Sequence, residues 1–196
     1  MVAPRKIGPA TASDIEVLER SEVVAGVVQE KAAPSADHGQ SQAALTALLH
    51  GSFHRRGSGD HPGGWWILTE VEIELETHEV YLPDLCGWRR ERVPERPRGR
   101  PVRIRPDWVC EVLSPSTAAR DQVIKQATYF RCGVSHYWIV DPEREILIVQ
   151  RREGAGYLVV LTAGRSDVVR AEPFEALELR VGLLFGDDPD DADLAR

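Results

Sequence analysis

Two carboxylates interrupt an otherwise apolar stretch of this chain. The run RPDWVCEVLSPST, Arg105 to Thr117, sets Trp108, Val109, Cys110, Val112 and Leu113 close together, the pattern of a short strand buried on both faces. Asp107 and Glu111 lie within it. An acid buried without a partner costs several kcal/mol or takes up a proton, so each needs an arginine, a hydrogen-bond donor or a metal beside it. The two share strand parity, but four residues at about 3.3 Å each separate them by roughly 13 Å, too far to chelate one ion. Asp84, in the earlier apolar run YLPDL, is the better partner for Glu111. If their strands pair, the side chains meet about 5 Å apart across the ladder. Two such carboxylates repel unless a cation lies between them, and their oxygens suit Mg²⁺ or Mn²⁺.

Downstream, Gln122, Lys125, Gln126 and Tyr129 recur at i, i+3, i+4 and i+7 on an expected helix from 121 to 132, with Gly133 as its C′ residue. Val123, Ile124, Ala127 and Phe130 form a second, apolar stripe. Taken alone, that is an amphipathic helix with its polar side in water, and Asp121 is its N-cap.

Charge is uneven along the chain. The formal net charge of −7 argues against a general nucleic-acid binder. Yet Arg89, Arg90, Arg92, Arg96, Arg98, Arg100, Arg103 and Arg105 face only Glu91 and Glu95 over residues 89–105, a local charge of +6. Pro and Gly punctuate this segment, which reads first as a disordered, solvated loop; a mobile arginine-rich loop is also a phosphate clamp. The three cysteines, Cys86, Cys110 and Cys132, have no metal-type spacing and read as small hydrophobes in a reducing compartment. No apolar run approaches the roughly 18 residues of a membrane span, and the N-terminus lacks a signal-like core, so the expected location is cytoplasmic.

The elements that must position these residues follow from periodicity. A short helix is expected over 13–20, then a strand over 23–31 with a glycine kink. A helix follows over 37–55, with Ala43, Ala44, Ala47 and Leu48 on its apolar face. WWILTEVEIELE and VYLPDLCGW read as consecutive strands joined at Thr77-His78, with Glu70, Glu72, Glu74 and Glu76 as a solvated face. SHYWIVD, REILIVQRR and YLVVLTA read as further strands, the first two joined by the turn DPER. The sum is an α/β or α+β domain over 1–186, a mixed sheet flanked by helices, ending in an acidic, disordered tail over 187–196.

PDWVCEVLSPST followed by RDQVIKQATYFRCGVSHYWIVDPE resembles the Uma-two endonuclease family, a branch of the PD-(D/E)XK, restriction-endonuclease-like superfamily. The resemblance runs from about Val17 to Phe185. It implies that Asp84, Glu111 and the carbonyl of Val112 hold the metal. The superfamily lysine position is occupied by Leu113, and the resemblance points to Lys125 as its substitute. His38 and Asp107 match family positions; with Gln42 and Tyr129 they are supporting candidates. The implied activity is Mg²⁺- or Mn²⁺-dependent hydrolysis of DNA, with Arg89, Arg90, Arg92, Arg96, Arg98 and Arg100 gripping the backbone. Because related nucleases cut two strands with two sites, a homodimer fits as well. Two rivals stand beside this reading: an inactive nuclease fold that binds nucleic acid or protein, and a hydrolase of another phosphoester.

Overall fold

A computed structural model describes residues 8–16, 18, 20–57, 62–114 and 119–190, without the side chains of 119–121. The elements in order are α1 (Ala12–Ile15), β1 (Ser21–Val24), β2 (Val27–Glu30), α2 (Ala36–Phe53), β3 (Trp65–Thr69), β4 (Ile73–Glu76), β5 (Glu79–Tyr81), β6 (Leu85–Arg89) and β7 (Trp108–Val112). They continue with α3 (Ala119–Arg131), β8 (His136–Asp141), β9 (Ile146–Glu153), β10 (Gly156–Gly164), β11 (Val168–Val169), β12 (Leu179–Arg180) and a 3₁₀ turn, Val181–Phe185.

The main sheet has the order β10-β9-β8-β7-β6-β3. Its one parallel pair is β7–β8, joined by the crossover helix α3, as a parallel connection requires. A second sheet, β2-β1-β5-β4, carries the N-terminal hairpin. Each of the two long strands expected over 65–76 and 80–88 therefore divides between sheets. Glu70, in the left-handed region at φ 47°, breaks the first, and Pro83, which has no N–H for a ladder, lies at the break in the second. The turn at Thr77-His78 stands as expected, between β4 and β5.

Strand β7 is buried at every position. Trp108, Cys110 and Val112 join the core on the α2 side, and Val109 joins the core that includes Tyr129 of α3. On the α2 side the rings of Phe53, Trp65, Trp108 and Trp138 all lie 4.8–5.6 Å from Phe174, tilted or edge-on as aromatic quadrupoles prefer. The buried stripe of α2 is His38, Ser41, Leu45, Leu49 and Phe53, with Ala44 and Leu48 of the expected face partly buried beside it and Ala43 and Ala47 exposed, because the larger side chains decide which way the helix turns.

The arginine segment is not the loose loop expected. Val93 and Val102 are buried, Val102 bridges to Ile73, and Trp66 Nε1 donates to the Val93 carbonyl. Nor are the glutamates of 70–76 a merely solvated face. Glu70 pairs with Arg20, Glu72 with Arg100, Glu74 with Arg103 and Glu76 with Arg131. Opposite charges distant in sequence thus tie the segment to the second sheet. At the acidic end, Asp187 pairs with Arg165 and the Pro189 carbonyl accepts from Arg180; residues 191–196 lie outside those described. Among the described residues no helix is long and apolar enough to cross a membrane.

Candidate active site

The register Leu85↔Cys110 places Asp84, one residue before β6, beside Glu111 of β7. Asp84 is fully buried. Its Oδ2 accepts the Val112 N–H at 2.7 Å, so the side chain continues the ladder where the β6 backbone has ended. Its Oδ1 lies 2.6 Å from Lys31 Nζ and 3.2 Å from His38 Nε2. Burial pushes this carboxyl up, but His38 and the Lys31 ammonium outweigh it and hold the pKa at about 2. Gln42 Nε2 donates to the Asp84 carbonyl at 3.3 Å.

Glu111 accepts from Tyr129 Oη at 2.9 Å and has Lys125 Nζ at 4.0 Å. Burial dominates here and raises its pKa to about 7 against the pull of Lys125 and Lys31. Lys125 is itself buried, 2.5 Å from Glu22 Oε2 and 5.6 Å from the centre of the Tyr81 ring. Helix α3 therefore presents its polar stripe inward, opposite to the amphipathic reading. Lys125 and Tyr129 are buried while Val123 is 65% exposed. The cleft carboxylates reward an ammonium and a phenol more than the core would reward one valine. Gln126, from the same stripe, donates to Gln150 of β9, and Gln122 lines the cleft. The expected cap at Asp121 falls on a side chain outside those described.

Two charged residues here were not anticipated. Glu22 of β1 accepts the Leu82 N–H at 2.7 Å with its other oxygen. Lys31, just past β2, donates to the Leu82 carbonyl at 2.7 Å as well as to Asp84. Burial works against the charge of Lys31, but Glu111 and Asp84 more than compensate, so its pKa rises. A cleft of about 190 Å³ opens onto Glu22, Lys31, His38, Asp84, Glu111 and Lys125.

The remaining candidates lie elsewhere. Asp107 sits at the far end of β7, accepting the Arg89 N–H at 2.8 Å and Arg92 Nε at 2.7 Å, and so fastens the strand entrance as its distance from Glu111 requires. The arginine segment joins β6 to β7 at that same far end, some four residues, roughly 13 Å, from the carboxylates.

Among the described residues no three His, Cys, Asp or Glu side chains form a ready metal cage. Two carboxylates nevertheless suit Mg²⁺, which keeps several waters and takes only one or two protein carboxylates. His38 Nδ1 and the hydroxyl of Tyr137 are buried without a hydrogen-bond partner, and both residues line the cleft. Unsatisfied polar atoms of this kind mark a place for a polar guest.

The chain is thus an α+β domain: a mixed sheet with a crossover helix, carrying paired carboxylates and lysines in one cleft. Residues 12–182 match the Uma2 family, described as "Putative restriction endonuclease", and the chain belongs to that family. A crystal structure of "a putative nuclease belonging to DUF820 from Anabaena variabilis ATCC 29413" shares the fold, with a TM-score of 0.68 at 19% identity over 90% of this chain and 98% of that one. A DrdV–DNA complex matches more distantly, with a TM-score of 0.34 at 13% identity over 78% of this chain and 14% of that one. No curated protein matches the chain. The family supports an enzyme that hydrolyses nucleic acid.

Proposed function

We propose that this protein is a divalent-metal-dependent endonuclease that hydrolyses DNA phosphodiester bonds in the cleft between Asp84 and Glu111. The observation that carries the reading is the register that brings these two acids together beneath Lys31 and Lys125. Asp84, Glu111 and the Val112 carbonyl would hold Mg²⁺ or Mn²⁺, which when bound supplies the acidity that makes water a nucleophile and the charge that offsets the phosphate.

The chain's own residues do the rest. Hydrolysis adds a water oxygen to phosphorus and expels an alkoxide, so negative charge grows on the phosphate oxygens. Lys125, held by Glu22 next to Glu111, orients the water and offsets that charge. Tyr129, donating to Glu111, fixes the direction in which the carboxylate presents its free lone pairs. Lys31 and His38 hold Asp84 ionised and aimed at the same point, and Gln42 steadies the backbone beneath it.

Supercoiled plasmid incubated with Mg²⁺, Mn²⁺ or EDTA tests this. The expected result is nicking that requires metal and disappears in Glu111→Ala and Lys125→Ala. A second reading, an inactive fold that binds nucleic acid or protein, has one observation in its favour: Lys31 already pairs with Asp84, and Lys125 with Glu22, within the chain. Folded protein that cuts under no metal and shows no metal-induced rise in melting temperature would favour it.

A further inference from the structure

The end of the molecule opposite the cleft collects arginines, only some of which meet a carboxylate among the described residues. Arg92, Arg100 and Arg103 of the arginine segment are paired with Asp107, Glu72 and Glu74. Arg90 and Arg96 of that segment, with Arg55 and Arg56 beyond α2, have no carboxylate partner among the described residues, although the chain carries a net charge of −7. These four share one place. Gly64 accepts from the Arg90 N–H and donates to the Arg55 carbonyl, which fixes the two arginines around it. Arg90 sits over Trp66, its Cζ 3.5 Å from the ring centre, with Nε on the Trp65 carbonyl. His54 packs edge-on to Trp66 and stacks on His50 at 4.0 Å. Burial and then the approach of Arg56 lower the Arg90 pKa; burial, then His50, and after them Arg90 and Arg96 lower that of His54.

We propose that this patch is a second contact surface for the substrate: Arg55, Arg56, Arg96 and Arg90, the last held over Trp66, bind backbone phosphates of a DNA duplex whose scissile bond lies in the cleft. The inference rests on the nuclease reading for its substrate. A guanidinium stacked on an indole keeps its remaining in-plane N–H groups free for the oxygens of a phosphate. Helix α2 sets the span. Its His38 lines the cleft and His50 and His54 lie at the patch, and at about 1.5 Å per residue they stand roughly 20 Å apart. That distance corresponds to about six phosphates along one strand at 3.4 Å each. Contacts there position the duplex without reading its sequence.

The test is binding of a fluorescent duplex of about three helical turns in EDTA, in a Glu111→Gln background that cannot cut, over a series of salt concentrations. Arg55→Ala, Arg56→Ala and Arg96→Ala are combined, leaving the stacked Arg90 in place so that the fold is retained; Arg165→Ala with Arg170→Ala is the control. The expected result is affinity about tenfold weaker and a salt slope smaller by roughly 2 to 3, near 0.9 for each lost phosphate contact, with the control unchanged. Unaltered affinity and slope in the triple variant, or a parent that binds no duplex, would overturn the inference. So would an unchanged duplex affinity together with a shift in sedimentation, which would make the patch a protein contact. Plasmid cleavage by the wild-type chain separates the two ideas: cleavage kept in the triple variant with full affinity removes the patch and leaves the nuclease, whereas patch-dependent binding without any cleavage does the reverse.

Discussion

At the residue scale, the cleft is a balance of three buried acids, the buried Lys125 and the half-buried Lys31, and two of its acids titrate in opposite directions. Glu111 has a carboxyl raised from 4.5 to about 7. The folded protein therefore holds a proton that the unfolded chain has lost, and the stability from this group is full below pH 4.5 and lost as pH rises through 7. In EDTA, urea midpoints of the wild type should fall across that window, while Glu111→Gln stays flatter; parallel curves would show that burial does not control this acid. Asp84 behaves the other way, its contribution draining only as pH falls from 3.8 toward 2. Lys31→Met removes the ammonium at 2.6 Å from Asp84 and should destabilise the metal-free protein by about 3 kcal/mol, since it leaves a buried charge short of a partner. The same variant should gain more in melting temperature from Mn²⁺ than the wild type does. An equal gain would mean that ammonium and metal occupy different places.

At the element scale, β7 carries an acid at each end, Glu111 in the cleft and Asp107 as an anchor. Asp107→Ala should cost about 1–3 kcal/mol in chemical denaturation, because the Arg89 N–H and Arg92 lose their acceptor. It should leave the metal-induced melting shift intact. Much of this was legible in the sequence: the apolar run around Glu111 marked a strand buried on both faces, and a second acid in an apolar run marked its partner. The orientation of α3 was not, because Lys125 and Tyr129 count as polar in any periodicity, and only the acids from other elements turn them inward. Glu22 and Lys31 were hidden for a related reason. Lys31 meets Asp84 across 53 positions of sequence, and it follows a strand whose four residues are all exposed, so no local pattern separates it from a surface lysine. The arginine segment misled in the opposite sense. Its prolines and glycines suggested freedom, while its acid partners lay in strands that a local reading treats as solvated.

At the scale of the whole molecule, the aromatic core depends on a late part of the chain. Phe174 touches the rings of four residues drawn from α2, β3, β7 and β8. Phe174→Ala should cost about 3–5 kcal/mol, and a chain ending at Gly164 should lack a cooperative thermal transition; sharp melting of that truncated form would show that the core closes without it. The way Asp84 takes a rung in the β6–β7 ladder through the Val112 N–H has a consequence for the time before folding is complete. The carboxylate is in place only when two strands have found their register, and Lys125 reaches Glu111 only after α3 has crossed over to start β8. A nascent or partly melted chain thus carries all the reactive groups but none of their geometry. On the proposed nuclease reading, the power to cut would come into being with the native structure and vanish when that structure is lost.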